Sequence, residues 1–370
     1  MRRSFAGMLC CLLLAIGLAA ATHAFGAAPR SFYGVVPQTK LRIADFHRMR
    51  TGEVAVLRLP MPWGDIDLGP TSDNPTAPRY TWTKFDRTVT RAAESGIRIL
   101  PTVYGLPPWL ASLQGCAAQC YRVGPSAISS YVGFSLFMHA AVARYGPGGE
   151  FWGAHPELPY KPINTWQIWN EQNSSDFWAP FPNVEDYKNL VIAGGEAVHG
   201  VDPNGRVILG GMVGDPAQHG KYTATAWEFL KALYADPRAR SAFDGVALHP
   251  YGASLRSIKR TMWKLRSELR ADGGGNDPVW ITEIGWASGG EPNPLNRGPK
   301  GQAALLTQVF DFFTAKRRPF NLVNVDYYAW RDGSPTGEYC AWCRKAGLFP
   351  FGSLRPKPAW HAFTQFTGGR

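Results

Sequence analysis

Residues Thr165-Trp166-Gln167-Ile168-Trp169-Asn170-Glu171 decide the fold. The run is aromatic and apolar, bounded on one side by Pro162 and on the other by a polar Gln-Asn-Ser-Ser stretch, and it reads as a buried strand. It ends in an amide and a carboxylate. A charge at the end of a buried strand is costly unless it is paired or put to use. Val279-Trp280-Ile281-Thr282-Glu283 repeats the design. Outward from these two, further strand-like runs fall at Phe32–Val36, Ala55–Leu59, Ile97–Val103, Val207–Leu209, Gly245–Leu248 and Val325–Ala329, which makes eight.

Helical patterns separate the strands. Phe85, Val89, Ala92 and Ala93 recur at helical spacing, with Thr83 and Asp86 placed as a capping box. Tyr131, Phe134, Met138, Ala141, Val142 and Tyr145 form a second stripe, and Leu255, Ile258, Met262, Leu265 and Leu269 a third. Strand–helix alternation predicts βαβ units, and eight strands close a barrel. The fold class expected is α/β, a (β/α)8 TIM barrel, as a single domain over residues 29–370. The longest irregular stretches (60–80, 104–125 and 331–348) follow strands, on the face where such barrels hold their active sites. A doubly wound sheet lacks support, because no Gly-rich phosphate loop follows a strand; Gly210-Gly211 and Gly273-Gly274-Gly275 read as turns.

Residues 1–28 read as a signal peptide: Arg2 and Arg3, the apolar run Met8–Ala21, then small residues. The mature chain is expected to be secreted or held in the cell envelope or periplasm, without a stable membrane span after cleavage. Cys116, Cys120, Cys340 and Cys343 remain; an even number in an exported chain favours disulfides, and the short spacings favour Cys116–Cys120 and Cys340–Cys343. The net charge of +11 is spread along the chain, with modest clusters at Arg256/Lys259/Arg260 and Lys316-Arg317-Arg318. Such clusters suit solvated helix faces or attraction to an anionic polysaccharide. No nucleic-acid-binding motif is present.

Cleaving a glycosidic bond needs two carboxyl groups in different settings: one protonates the leaving oxygen and, in a retaining enzyme, the other attacks the anomeric carbon. Glu171 and Glu283 end two strands of one barrel and suit those tasks. Competing chemistries lack their motifs: there is no HExxH metal pattern and no Gly-x-Ser-x-Gly elbow. Neither a metal nor a cofactor is expected.

Together the motifs resemble glycoside hydrolase clan A. Trp169-Asn170-Glu171 is similar to its acid/base strand, and Thr282-Glu283-Ile284-Gly285-Trp286 to its nucleophile strand. Within the clan the chain most resembles family 39, the β-xylosidase and endoglycosidase group, and next the family 5 cellulase-like enzymes. The resemblance implies Glu171 as acid/base, Glu283 as nucleophile and Arg58 as the cation beside Glu283. It implies Asn170 on the sugar 2-hydroxyl, Tyr251 bonded to Glu283, His249 orienting the carboxylates and Trp330 as the floor under the reacting sugar. Trp63, Trp109, Trp178 and Trp286 fall in strand-end loops and are candidates for further sugar contacts. The expected protein is a monomeric retaining glycosidase without cofactor, acting on a carbohydrate, possibly anionic, and cutting within chains, since little beyond a barrel is present to wall off a pocket. Transglycosylation and a catalytically silent carbohydrate-binding barrel are the alternatives.

Overall fold

The computed structural model describes residues 28–71, 78–116, 120–214, 224–337, 340 and 342–370, so the expected leader lies outside the described residues but for Ala28. Eight parallel strands close in sequence order: β1 Tyr33–Val36, β2 Val56–Pro62, β3 Arg98–Tyr104, β4 Thr165–Asn170, β5 Arg206–Val213, β6 Val246–His249, β7 Val279–Ile284 and β8 Leu322–Tyr328. β8 returns to β1, with Tyr33 opposite Val325 and Val36 opposite Tyr328, so the sheet has no free edge. Helices Thr83–Glu94, Ile128–Tyr145, Val184–Val201, Leu255–Ala271 and Gly298–Ala315 pack outside it. Their apolar stripes are the buried faces expected, although Tyr131 and Leu255 are only partly covered. Among the described residues no helix is long and apolar enough to cross a membrane.

Two local expectations are corrected. Gly210-Gly211 lies inside β5 and is not a turn. A Cβ on Gly211 would sit 1.9 Å from Nε2 of His249, and one on Gly210 would sit 2.1 Å from Oε1 of Gln172. The glycines make room for side chains that cross the strand, a role that sequence cannot distinguish from backbone freedom. Thr83 and Asp86 form no capping box, because the helix begins one residue earlier, with Trp82 as its cap. Asp86 instead accepts hydrogen bonds from Arg144 at 2.8 Å and Tyr145 at 2.7 Å, which tie two barrel helices together.

Inside the barrel, side chains sort by height because alternate strand residues face inward. Val56, Leu100, Ile208, Ala247 and Trp280 form an apolar layer. Two residues further along their strands come Arg58, Thr102, His249 and Thr282, joined by Gln167, all buried. Gln167 holds this polar layer together: its Oε1 accepts from Arg58 (2.7 Å) and Thr102 (3.0 Å), and its Nε2 donates to Thr282 (3.2 Å).

Asp326 of β8 is fully buried in the same interior, facing Gly34, where any Cβ would meet its carboxyl. Burial pushes its pKa up from 3.8 to about 8, against the pull of Asn324, Arg58 and Arg98. Between those values the folded protein holds a proton that the unfolded chain has released, so stability falls as pH rises, by about 1.4 kcal/mol per pH unit. Asp326→Asn removes this dependence. Urea unfolding at several pH values from 5 to 8 should show the native protein losing stability relative to the variant; parallel profiles would mean that the buried acid is ionised throughout.

Candidate active site

Both strand-end carboxylates sit where strand alternation breaks. In β7 the register against β8 shifts between Ile281 and Ile284. The shift turns two consecutive residues inward: Thr282 reaches His249 and Glu283 reaches Arg58. In β4 the break is in the backbone. Trp169 and Glu171 take φ values of 69° and 43°, the left-handed region. This lets Asn170 bond Arg58 while Glu171 bonds His249. The next residues brace the turn: the Ser174 amide donates to the Glu171 carbonyl, and the Asn173 side chain bonds Val213 in both directions.

Glu283 is held at both oxygens. Arg58 Nη1 donates to Oε1 at 2.5 Å, and the Tyr251 hydroxyl donates to Oε2 at 2.7 Å. Burial, followed by the nearby Glu283 charge, raises the Tyr251 pKa well above its ordinary value, so the phenol remains a donor. Arg58 spends its other nitrogens on Gln167 and on Asn170 Oδ1 at 2.6 Å, which leaves it almost wholly buried but fully paired.

Glu171 is held by an imidazole. Its Oε1 lies 2.7 Å from Nδ1 of His249, whose Nε2 lies 3.0 Å from the Thr282 hydroxyl. The Thr282 hydroxyl also accepts from Gln167, which links the imidazole to the polar layer. His249 also lies 3.9 Å from Glu283. Ligating atoms of Glu171, His249 and Glu283 fall within 4.8 Å of one another, the one grouping among the described residues close enough to share a metal ion. Since Arg58 and Tyr251 already engage both oxygens of Glu283, the arrangement suits a paired carboxylate better than a metal ligand.

A cleft of 780 Å³ opens from Glu283 and Asn170 past residues 37–41 of the loop after β1, and reaches the outer face of helix Thr83–Glu94. The hydrogen bonds bring Arg58, Asn170, Glu171, His249, Tyr251 and Glu283 into one cluster, of which Arg58, Asn170 and Glu283 line the cleft.

It does not bring the tryptophans. Trp330 is a correction: it is fully buried, its indole nitrogen donates to Asp45 at 2.9 Å, and it packs on Phe349 and Trp360. β8 ends at Tyr328, so strand alternation no longer governs residue 330. Trp286, which donates to the Gly252 carbonyl, Trp63, which donates to Asp67, and Trp178, packed on Trp169, are buried as well. Trp109 is half-buried and donates to Asp67 at 3.3 Å. None of these five is among the described residues lining the cleft.

Tyr104, Phe177 and Tyr328 line it instead. Gln38 accepts from the Tyr328 hydroxyl at 2.8 Å and donates to the Arg331 and Cys343 carbonyls, which fixes that ring. Trp342 stacks edge-on against Tyr251 and Tyr328, with ring centres 4.9 and 5.8 Å away. It rides on the loop closed by the Cys340–Cys343 disulfide, as expected from spacing. That Cys-x-Trp-Cys run was the one sequence signal that could have marked it. Cys116 is also disulfide-bonded; the side chain of its expected partner, Cys120, lies outside the described residues.

No family model and no curated protein matches the chain in sequence. Solved structures do match in fold. A family 39 glycoside hydrolase from Bacteroides cellulosilyticus is 20% identical, with a TM-score of 0.64 over 92% of this chain and 63% of its own. A monomeric β-xylosidase from Caulobacter crescentus is 18% identical, with a TM-score of 0.64 over 92% and 68%. A family 39 enzyme from Xanthomonas axonopodis is 17% identical, with a TM-score of 0.66 over 93% and 67%. The chain therefore spans about two thirds of the length of these structures, and what it shares with the family 39 glycoside hydrolases is the (β/α)8 barrel on which its sequence motifs resemble theirs.

Proposed function

We propose that the protein is a retaining glycoside hydrolase that cleaves β-linked bonds within a polysaccharide or oligosaccharide. The observation that carries this reading is the approach of two carboxyl groups, Glu171 buried and Glu283 partly exposed, to within 4.8 Å, the latter braced by a cation and a phenol and the former by a histidine. Retaining enzymes hold the pair about 5–5.5 Å apart, whereas inverting ones leave about 6.5–9.5 Å for a water. Glu171 protonates the glycosidic oxygen as Glu283 bonds to the anomeric carbon and the aglycone departs. Glu171 then takes a proton from water, whose oxygen displaces Glu283. Arg58 occupies the Asn170 carbonyl oxygen, which leaves the amide hydrogens to donate to the sugar 2-hydroxyl.

The 780 Å³ cleft, lined from Glu283 to residues of the helix Thr83–Glu94, favours binding several sugars at once, and hence cutting within chains. The names of the solved relatives, family 39 enzymes and a xylosidase, favour β-glycosides as substrates. The basic-then-apolar leader and the Cys340–Cys343 disulfide favour export, and the monomeric xylosidase favours action as a monomer.

Proton NMR of the first products decides the stereochemistry. The β-anomer should appear first, with the α-anomer following only through mutarotation. Initial release of the α-anomer would sink the retaining mechanism.

A further inference from the structure

The far end of the cleft has a chemistry of its own. Lys84, Arg87, Thr88 and Arg91 all line it, at the three- and four-residue spacing that places side chains on one helix face. The opposite face of the same helix, Phe85, Val89, Ala92 and Ala93, is buried against the barrel. Lys84 and Arg87 are exposed, Arg91 is half-buried, and Lys40 joins them from the loop after β1. From Lys84 to Arg91 the stripe runs about 10 Å at 1.5 Å per residue.

Among the described residues, none of these four cations has an ion-pair partner. Arg122, Arg144, Arg238 and Arg240 elsewhere are each paired with a carboxylate. Cations three and four residues apart repel along a helix, and Glu94, the one carboxylate at that spacing, three residues beyond Arg91, forms no ion pair with it among the described residues. The other carboxylate lining the cleft besides Glu283 is Asp65, which lies towards the catalytic end, close enough to influence the Tyr104 phenol. The cleft thus runs from Glu283 to a wall of positive charge. This stripe is separate from the two basic clusters that stand out in the sequence.

We propose, resting on the reading of the protein as a glycan-cleaving enzyme, that Lys84, Arg87 and Arg91 form an anion subsite. It holds carboxylate or sulfate groups on sugars distant from the cleaved bond and makes an acidic glycan the preferred substrate. The hydroxyl of Thr88, between Arg87 and Arg91 on that face, adds a neutral hydrogen-bonding group. Positive charge along one wall also steers a polyanion into the cleft, an effect that salt weakens.

The test measures binding in a Glu283→Gln background, so that ligands stay intact and no turnover is needed. Three probes are compared by calorimetry: a β-linked uronic acid oligosaccharide, its carboxyl-reduced neutral form, and that neutral form carrying sulfate esters. At low salt the anionic probes should bind about tenfold more tightly than the neutral one. The preference should shrink to about twofold or less in K84Q/R87Q/R91Q and in high salt. Tighter binding of the uronate alone identifies carboxylate as the recognised group, and of the sulfated probe alone, sulfate; either result supports the subsite. Equal binding of all three probes, or a preference unchanged in the triple variant, overturns it. The triple substitution in the otherwise native protein should leave hydrolysis of a small aryl glycoside unchanged, which verifies its folding. Failure of the native protein to hydrolyse any glycoside would instead count against the glycosidase reading, independently of these binding results.

Discussion

Glu283→Gln abolishes turnover of every glycoside, including those with leaving groups that need no proton, with kcat falling by at least about 10⁴-fold. An amide in place of the carboxylate cannot bond to the anomeric carbon and be displaced again by water. It also changes the local charge, because the Arg58 guanidinium 2.5 Å away loses its anion while keeping Gln167 and Asn170. The variant should still fold, since Arg58 can donate to the amide oxygen while the Tyr251 hydroxyl oxygen accepts from the amide nitrogen. Release of dinitrophenol from an aryl glycoside checks the expectation; a loss of tenfold or less would remove Glu283 from the nucleophile role.

Glu171→Gln produces a different pattern. With alkyl or sugar leaving groups, kcat falls by about 10²–10⁴-fold, the usual worth of a positioned acid. With a dinitrophenyl leaving group the first step survives, because Glu283 and its two donors are untouched. The second step slows, since nothing takes a proton from water. The expected result is a burst of dinitrophenol followed by slow turnover, with intact mass showing one glycosyl unit on the protein. His249 can still hydrogen-bond the new side chain, so the geometry should hold. Equal losses on activated and unactivated substrates would mean that the two glutamates have been given each other's roles, or share one.

The sequence reveals the barrel because each strand carries its own signal: an apolar run, a helix pattern after it and an irregular stretch between them. It reveals the charged centre for a related reason. Carboxylates at the ends of buried strands are expensive, and the expense points to a common destination, as Glu171 and Glu283 show, while Arg58 is placed beside them by the family resemblance. The tryptophans fail for the converse reason. An indole placed after a strand can face solvent, ligand or core, and the choice depends on partners distant in the chain. Asp45 takes Trp330 across 285 residues, and Gly252 takes Trp286 across 34. Nothing local to Trp330 records that Phe349 and Trp360 close around it. Tyr328 was overlooked because it reads as one more strand residue, although Gln38 fixes it at the cleft. The same limit applies to Gly210 and Gly211, whose missing side chains are explained only by Gln172 and His249 lying across them.

The left-handed backbone at Glu171 also bears on how this protein can change. A residue with a Cβ held at φ 43° sacrifices about 1–3 kcal/mol of stability, which glycine in the same place would recover. Trp169, two residues earlier at φ 69°, adds a second such position. Selection for heat resistance alone would therefore reward replacement of the very side chain proposed to transfer the proton. A lineage that kept the barrel but lost its substrate would be expected to drift there first. Persistence of glutamate at residue 171 is thus a mark of continuing use, and any campaign to harden this protein should screen for turnover alongside melting temperature.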